Sequence, residues 1–281
     1  LRVAAKPGVQ VRVRAISADG ARSAWSKPRR KPPVVVKKVK VAPVGASKAR
    51  VTWQRTKGAK SYQVRVGRKV VKTKALARSL RVDAATPIRV RAIGFKGTKG
   101  AWSKARYRAP NAPVSVAVRA TDTYEGFVAF PLPTGATEAQ VRVGTYVTTV
   151  KSGSASLWME FKDPVRVRVK GKGGWSPWTE PVLKPLSTGE RTDLQDERTR
   201  LELRVAELRA DVAVHDAEIA KLNYQLMVAT TFGDTLRVQQ IQAELAVERA
   251  ARNTALARID EYTTRIAEIQ ATLTEADALE P

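Results

Sequence analysis

The sequence predicts mainly β sandwiches, one partial and two complete, followed by an antiparallel helical hairpin of the coiled-coil type. The first observation is a Val-Arg alternation at 11–16 that returns at 88–93 and at 165–169, each time 77 positions later. The second is that a glycine-containing loop and a Trp-Ser pair follow each copy, at Trp25, Trp102 and Trp175. The third is that the apolar period changes from 2 to about 3.5 residues near position 191, which is typical of coiled-coil helices.

Charge is divided unevenly along the 281 residues. Residues 190–281 hold 18 acids and 11 bases, so the first 189 hold the remaining 8 acids and 40 bases. A positive excess of this size attracts polyanions such as nucleic acid or phosphate-rich polymers. The chain has no Cys, which excludes disulfides and thiolate chemistry. It also has no apolar run near the ~20 residues that a membrane span needs.

The first module is predicted at 1–31, with strands at 1–5, 9–16 and 25–27. Alternation of valine with arginine indicates half-buried strands with the arginines in water. Because so few strands would leave an apolar face bare, we expect the rest of this domain to lie upstream. The prolines Pro32 and Pro33 then favour an extended linker.

Two complete modules are predicted at 32–110 and 111–184. Turn signals every 8 to 12 residues between short strands indicate β sandwiches. The predicted strands are 34–41, 49–54, 62–66, 80–82, 88–93 and 102–106 in the second module, and 114–119, 126–130, 139–143, 154–161, 165–169 and 178–182 in the third.

The pattern Val-Arg-Val-Arg-Ala, a Gly loop and Trp-Ser, together with Trp53 and Tyr62 on early strands, resembles the fibronectin type III family over roughly residues 1–184. The sequence departs from this family in four ways. Its tyrosine-corner position holds Val9, Thr86 and Asp163, so that hydrogen bond is expected to be absent. The third repeat has lost four loop residues and replaces the alanine with Val169. It also replaces the early tryptophan with Val128 or a neighbour.

Two helices are predicted at about 191–229 and 234–279, within a helical domain at 187–281. Gly233 and Asp234 supply a helix stop and a helix cap between them, and the two heptad registers do not connect. We therefore expect the second helix to fold back on the first. With a turn at residue 232, His215 faces position 249, between the polar residues Glu248 and Arg252, so these polar residues would lie at one height and satisfy one another.

The hairpin is predicted to oligomerise, most simply as a homotrimer, because each helix carries an apolar seam and a second, alanine-rich seam. The alternative is that the alanines reflect helix propensity alone. The predicted oligomerisation seam consists of Leu201, Leu208, His215, Leu222, Ile259, Ile266 and Leu273.

Candidate binding residues are the arginines on the outward face of the repeated strands. They could bind an anionic surface, or form a solvated face that prevents edge-to-edge aggregation. No cofactor, metal site or catalytic group is expected, since no set of acids or nucleophiles recurs and His215 has no second histidine or cysteine to share a metal with. Nucleic acid is not expected as a partner, because the tryptophans lie at core and strand-end positions. The candidate residues for binding an anionic surface are Arg12, Arg14, Arg89, Arg91, Arg166 and Arg168.

Fibronectin-like modules joined to a helical assembly element resemble the distal parts of tail-tip and tail-fibre (minor tail) proteins of long-tailed bacteriophages. The resemblance implies a structural virion protein that acts in tail assembly and host-surface attachment, with other tail proteins and an anionic host polymer as partners. The alternatives are a secreted or surface-attached bacterial adhesin or glycan-binding accessory protein, and a polyanion-binding structural protein.

Overall fold

The computed structural model describes residues 3–279, which form sixteen β-strands and two long α-helices. They group into two compact units. The first contains the chain up to Ala117, Val128–Ser156 and Pro164–Val182, and the second contains Val118–Phe127, Leu157–Asp163 and the chain from Leu183 onward. This division cuts through the third predicted module, and the boundaries predicted from the sequence stay predictions.

The first module has little regular structure among the described residues. Its strands are β1 (Gln10–Val11) and β2 (Arg29–Arg30), which pair antiparallel. The predicted strand 1–5 begins outside the described residues, and its described part, 3–5, is not a strand. The predicted strand 9–16 is shortened to two residues, and Val13 and Ile16 are exposed.

The second module is a two-sheet sandwich with the strand orders β3-β4-β7 and β6-β5-β8. Fully buried valines of both sheets, Val51, Val64 and Val90, form its core. The strands are β3 (Lys40–Val44), β4 (Lys48–Thr52), β5 (Ser61–Val66), β6 (Lys69–Thr73), β7 (Ala77–Arg81) and β8 (Ile88–Ile93).

Tyr62 forms the hydrogen bond that anchors this core. Its buried hydroxyl accepts the backbone N–H of Thr56 at 2.9 Å, and its ring lies 5.5 Å from the Trp53 ring. A tyrosine on β5 thus anchors a loop even though the position of the family's corner tyrosine holds Thr86. The equivalent of Trp53 in the third module is the buried Phe130, since both N–H groups donate to carbonyls 77 residues apart, those of Leu76 and Gly153.

The third module has the strand orders β13-β10-β9 and β12-β11-β14-β15, with β16 also paired to β14. Its strands are β9 (Ala117–Asp122), β10 (Glu125–Ala129), β11 (Ala136–Val143), β12 (Tyr146–Val150), β13 (Ser154–Trp158), β14 (Pro164–Gly171), β15 (Gly174–Trp175) and β16 (Val182–Leu183).

Several predicted strands are corrected by the structure. The strand predicted at 34–41 begins only at Lys40, because Lys38 adopts φ of 54° and interrupts the extended chain. The sequence analysis missed β6 and β12. Each follows a glycine with φ of 54°, Gly67 or Gly144, that closes a tight hairpin with the preceding strand.

The segment predicted as a strand at 102–106 is not one, although it lies beside β8. Ser103 takes the place of a ladder residue: its Oγ accepts the N–H of Val90 at 3.0 Å, and its own N–H donates to the Val90 carbonyl at 2.9 Å. A side-chain oxygen therefore supplies one bond that a second backbone strand would supply. Ser26 makes the same two bonds to Val13 in the first module.

The helical hairpin is confirmed. Helix α1 (Thr188–Thr231) packs along α2 (Thr235–Asp277), and the turn between them contains Gly233 at φ of 69°. The side chain of Asp234 caps α2 by accepting the N–H of Arg237 at 3.0 Å. The helix stop and the helix cap therefore lie where the sequence predicts them.

The start of α1 is held by a buried ion pair that the sequence analysis missed. Ser187 and Glu190 form a reciprocal capping box. The fully buried Lys184 donates to Glu190 at 3.3 Å and to the Thr123 carbonyl at 3.0 Å. The first turn of α1 is thereby tied to the 118–127 segment of the same unit.

Candidate functional site

In each of the three modules, one predicted binding arginine lies over a tryptophan of the same module. A guanidinium over an indole face gains about 0.5–1 kcal/mol at an exposed site and up to about 2 where the pair is desolvated. Arg14, Arg91 and Arg168 therefore have a structural contact in addition to any binding role. The guanidinium-to-ring distances are 4.5 Å for Arg14–Trp25, 4.3 Å for Arg91–Trp102 and 4.4 Å for Arg168–Trp178.

The third pair corrects the register predicted for the third Trp-Ser copy. Thr179 makes the two bonds to Val167 that Ser103 makes to Val90, with N–H···O distances of 2.9 Å in both directions. Trp178-Thr179, and not Trp175-Ser176, is thus the structural equivalent of Trp102-Ser103. The spacing from valine to hydroxyl residue is 13 positions in the first two modules and 12 in the third, so this loop is one residue shorter, not four.

A second arginine contacts the same tryptophan in each complete module. Arg65 lies 5.1 Å from the Trp102 ring and Arg142 lies 5.6 Å from the Trp178 ring, and the two arginines are themselves 77 positions apart. Sequence reasoning missed both of them, although the period of 77 residues relates them.

Glutamines fix the stacked arginines. The Arg91 Nε donates to Gln63 Oε1 at 2.8 Å, and the Arg168 Nε donates to Gln140 Oε1 at 2.9 Å. Gln63 and Gln140 also lie 77 positions apart. On the outward face of each complete module, arginine, glutamine and tryptophan side chains therefore contact one another in a fixed arrangement. We call this surface the arginine face.

The side chains of the remaining predicted arginines, Arg12, Arg89 and Arg166, make no hydrogen bond, ion pair or ring contact within residues 3–279. Strand pairing places Arg89 directly opposite Arg65, and Arg166 directly opposite Arg142. Like charges directly opposite each other on one sheet face repel and destabilise the sheet. The arginine face thus contains two cross-strand arginine pairs of the same kind.

Carboxylates are scarce around the first of these pairs. Residues 32–110 contain 22 bases and one acid, Asp83. In the third module Glu138 bonds Lys170 at 2.6 Å, four residues along each strand from the arginine pair. Neither pair has an ion-pair partner among the described residues.

Arg108 is another residue whose role the sequence did not reveal. It lies in the connection between the second and third modules and is 3% exposed. Its guanidinium donates to the carbonyls of Gly45, Ala46 and Lys48 at 2.7 to 3.2 Å. It therefore holds the connection against the turn between β3 and β4.

The predicted oligomerisation seam lies along the interface between α1 and α2 of one chain. Leu208, Leu222 and Leu273 are buried there, and Leu201, His215, Ile259 and Ile266 are half-buried. The polar residues meet at one height, as predicted: His215 Nδ1 lies 2.7 Å from Glu248 Oε2, and Arg252 donates to Asp216. Whether this seam also joins several chains stays a prediction.

The alanine-rich seam of α1 is exposed in the single chain, and larger apolar residues extend it. Four of these are Leu203, Val214, Tyr224 and Met227, with exposed fractions of 63, 68, 66 and 58%. On α2, Leu236 and Val247 are also exposed. We call this exposed side of the hairpin the alanine face; its α1 alanines are Ala206, Ala210, Ala213, Ala217 and Ala220.

The described part of the chain contains no group of three or more histidine, cysteine, aspartate or glutamate side chains that could hold a metal ion. Neither described helix is long and apolar enough to cross a bilayer.

Solved structures similar to this chain include assemblies of fibronectin type III domains and a cytokine receptor complex. A two-domain segment of chicken tenascin is 15% identical, with 54% of this chain and 99% of that chain covered and a TM-score of 0.36. The cytokine receptor complex is 16% identical, with 52% and 94% covered and a TM-score of 0.39. The central fibronectin-III array of RIM-binding protein is 17% identical, with 63% and 75% covered and a TM-score of 0.26.

The two complete modules consist of antiparallel sheets, and the solved structures to which this chain is similar contain fibronectin type III domains. No family model matches the sequence, and no curated protein is similar to it in sequence.

Proposed function

We propose that this chain is a structural attachment protein. The helical hairpin joins copies of the chain, and the basic sandwich modules hold the assembly on an anionic surface. The observation that carries this proposal is the division of the chain into two chemically different parts. One has a large excess of bases on sandwich modules, and the other is a hairpin with an apolar side that its own partner helix does not cover.

The alanine face supports the assembly step. Small side chains at steps of three and four residues let a second helix approach closely. Burial of this apolar surface stabilises the assembly by about 25 cal/mol for each Å² removed from water. The occupant that we propose for this face is a second copy of the same chain, because its apolar residues continue the heptad spacing of a coiled coil. Three copies would give a six-helix bundle.

The charge distribution supports the attachment step. A single exposed ion pair contributes about 0–1 kcal/mol, so binding to an anionic surface requires many contacts at once. Joining several chains increases the effective concentration of the modules at the surface, and so strengthens weak contacts.

The biological setting that we propose is the tail of a long-tailed bacteriophage, where the chain serves tail assembly and host-surface attachment. This part of the proposal is supported by the resemblance of a fibronectin-like array with a helical assembly element to tail-tip and tail-fibre proteins. It is carried by the sequence organisation and not by the solved structures that the chain resembles.

Sedimentation equilibrium of the full chain at micromolar concentration tests the assembly step. We expect an oligomer, and we expect Ala217→Glu to dissociate it by placing a charge in the middle of the alanine face. Asn223→Glu is the matched control, since Asn223 is exposed on the same helix but outside this seam. A monomeric wild-type chain, or equal effects of the two variants, would contradict the proposal.

A further inference from the structure

Each of the two cross-strand arginine pairs places two positive charges opposite each other on adjacent strands. Arg65 opposes Arg89 between β5 and β8, and Arg142 opposes Arg166 between β11 and β14. The members of each pair are half-buried, so water screens them less than it would screen fully exposed charges. The same unfavourable arrangement thus occurs in both complete modules.

None of the four arginines forms an ion pair with a carboxylate of the described chain. The surrounding contacts fix the arginines where they are. Arg65 lies over Trp102, and the same ring lies against Arg91, which Gln63 holds. An external oxyanion between the two guanidinium groups would remove the repulsion.

We propose that each arginine pair binds one phosphate group of a phosphodiester-linked polyol or sugar polymer. The two sites are Arg65 with Arg89 and Arg142 with Arg166. A guanidinium whose face lies on an aromatic ring still has N–H donors at its edge, and these match the oxygens of a phosphate in a bidentate way. A polymer with regularly repeated phosphates suits a protein that repeats the same pair.

The tryptophans favour such a polymer over nucleic acid. Binding of single-stranded nucleic acid without sequence preference uses exposed aromatic rings on which bases stack. On the arginine face, Trp102 and Trp178 each lie against two arginines. Trp53 is buried in the core of the second module. The phosphates of the polymer are therefore recognised by charge and hydrogen bonds, without base stacking.

The proposed sites differ from the binding residues predicted from the sequence. Arg91 and Arg168 are fixed by their ring contacts, whereas the side chains of Arg89 and Arg166 have no hydrogen bond, ion pair or ring contact among the described residues. Arg65 and Arg142 complete the sites. This inference names the partner in the proposed attachment function and rests on that function.

The test uses the full chain and a synthetic glycerol-phosphate oligomer, titrated by calorimetry at low salt. The variant Arg89→Gln with Arg166→Gln removes one arginine from each pair. The control, Arg50→Gln with Arg78→Gln, removes the same charge from exposed positions of the β3-β4-β7 sheet. We expect affinity to fall tenfold or more in the first variant and less than threefold in the control. Equal losses would show diffuse attraction and overturn the proposal.

Two further measurements complete the test. Without the oligomer, the Arg89→Gln, Arg166→Gln variant should unfold at the same temperature as the wild type or a higher one, since the substitutions relieve repulsion. A lower unfolding temperature would make the pairs structural and contradict the inference. Tighter binding of a single-stranded oligonucleotide with the same number of phosphates would also contradict it, in favour of nucleic acid.

Sedimentation of the same samples separates the two proposals. If a variant still self-associates but no longer binds the glycerol-phosphate oligomer, the loss concerns the arginine sites alone. A wild-type chain that does not self-associate contradicts the proposed assembly function, whatever its affinity for the phosphate oligomer.

Discussion

Ser103 should matter far more to stability than its exposed equivalent Ser26, although the two serines make the same hydrogen bonds. Ser103 is 5% exposed and its Oγ accepts the N–H of Val90, which is fully buried. The substitution Ser103→Ala leaves that N–H without a partner, and an unsatisfied buried donor costs about 1–3 kcal/mol. In the first module, Ser26 and Val13 are exposed, so water can replace the lost bond. Ser26→Ala should therefore cost about 0.5 kcal/mol or less.

The assay is urea unfolding of the full chain, followed by tryptophan fluorescence. With a slope of about 1–3 kcal/mol per molar urea, a loss of about 2 kcal/mol moves the midpoint of the affected transition by about 1 M. Ser103→Thr should retain most of the stability, because Thr179 makes the equivalent bonds in the third module. If Ser103→Ala and Ser26→Ala shift the midpoint equally, the Trp-Ser pair does not stabilise the module through this hydrogen bond.

Two further predictions follow from buried and paired charges. Arg108→Ala removes the donor from several carbonyls near the connection between the modules, and should lower the free energy of unfolding by about 3 kcal/mol, measured by calorimetry. Arg108→Lys should not restore the lost stability, because one ammonium cannot reproduce the planar array of guanidinium donors. In the hairpin, the hydrogen bond from Arg265 holds the pKa of Glu197 below its ordinary value of 4.5. The stability from this pair is present above the unfolded-state pKa and is lost as pH falls through the lowered pKa of the folded state. Circular dichroism during acidification measures the helix content. Below a pH of about 4.5, this helix content should change less with pH in Arg265→Gln than in the wild type. Equal acid sensitivity of the two proteins would show that the ion pair does not contribute to stability.

The elements that the sequence predicted well are those with a strong local pattern. Strand β8 has the predicted bounds, 88–93, because valine and isoleucine alternate with arginine without interruption. The turn of the hairpin was predicted from Gly233 and Asp234, whose conformational and capping preferences act within a few residues. The facing of His215 and Glu248 followed from the position of that turn and the rise of a helix.

The elements that were missed have a weak local pattern. Strands β6 and β12 are edge strands in which valine and threonine mix with lysine in β6 and with tyrosine in β12, and their residues are exposed or half-buried. Pairing with β5 and β11 stabilises them, so their strand conformation depends on a neighbour and not on alternation. The segment 102–106 has the opposite character, because its residues resemble a strand but a serine side chain makes one of the ladder bonds.

For the candidate site, the sequence alone determined that arginines recur on the outward face of equivalent strands, since side chains alternate along a strand whatever lies next to it. Only the tertiary structure decided what those arginines contact. Trp102 comes 11 residues after Arg91 and 37 after Arg65, and Arg108 donates to carbonyls about 60 residues away. Such contacts depend on how the strands and loops pack, and the same packing sets Arg65 against Arg89. A periodic pattern specifies which face a side chain occupies, but the partner on that face is supplied by another part of the folded chain.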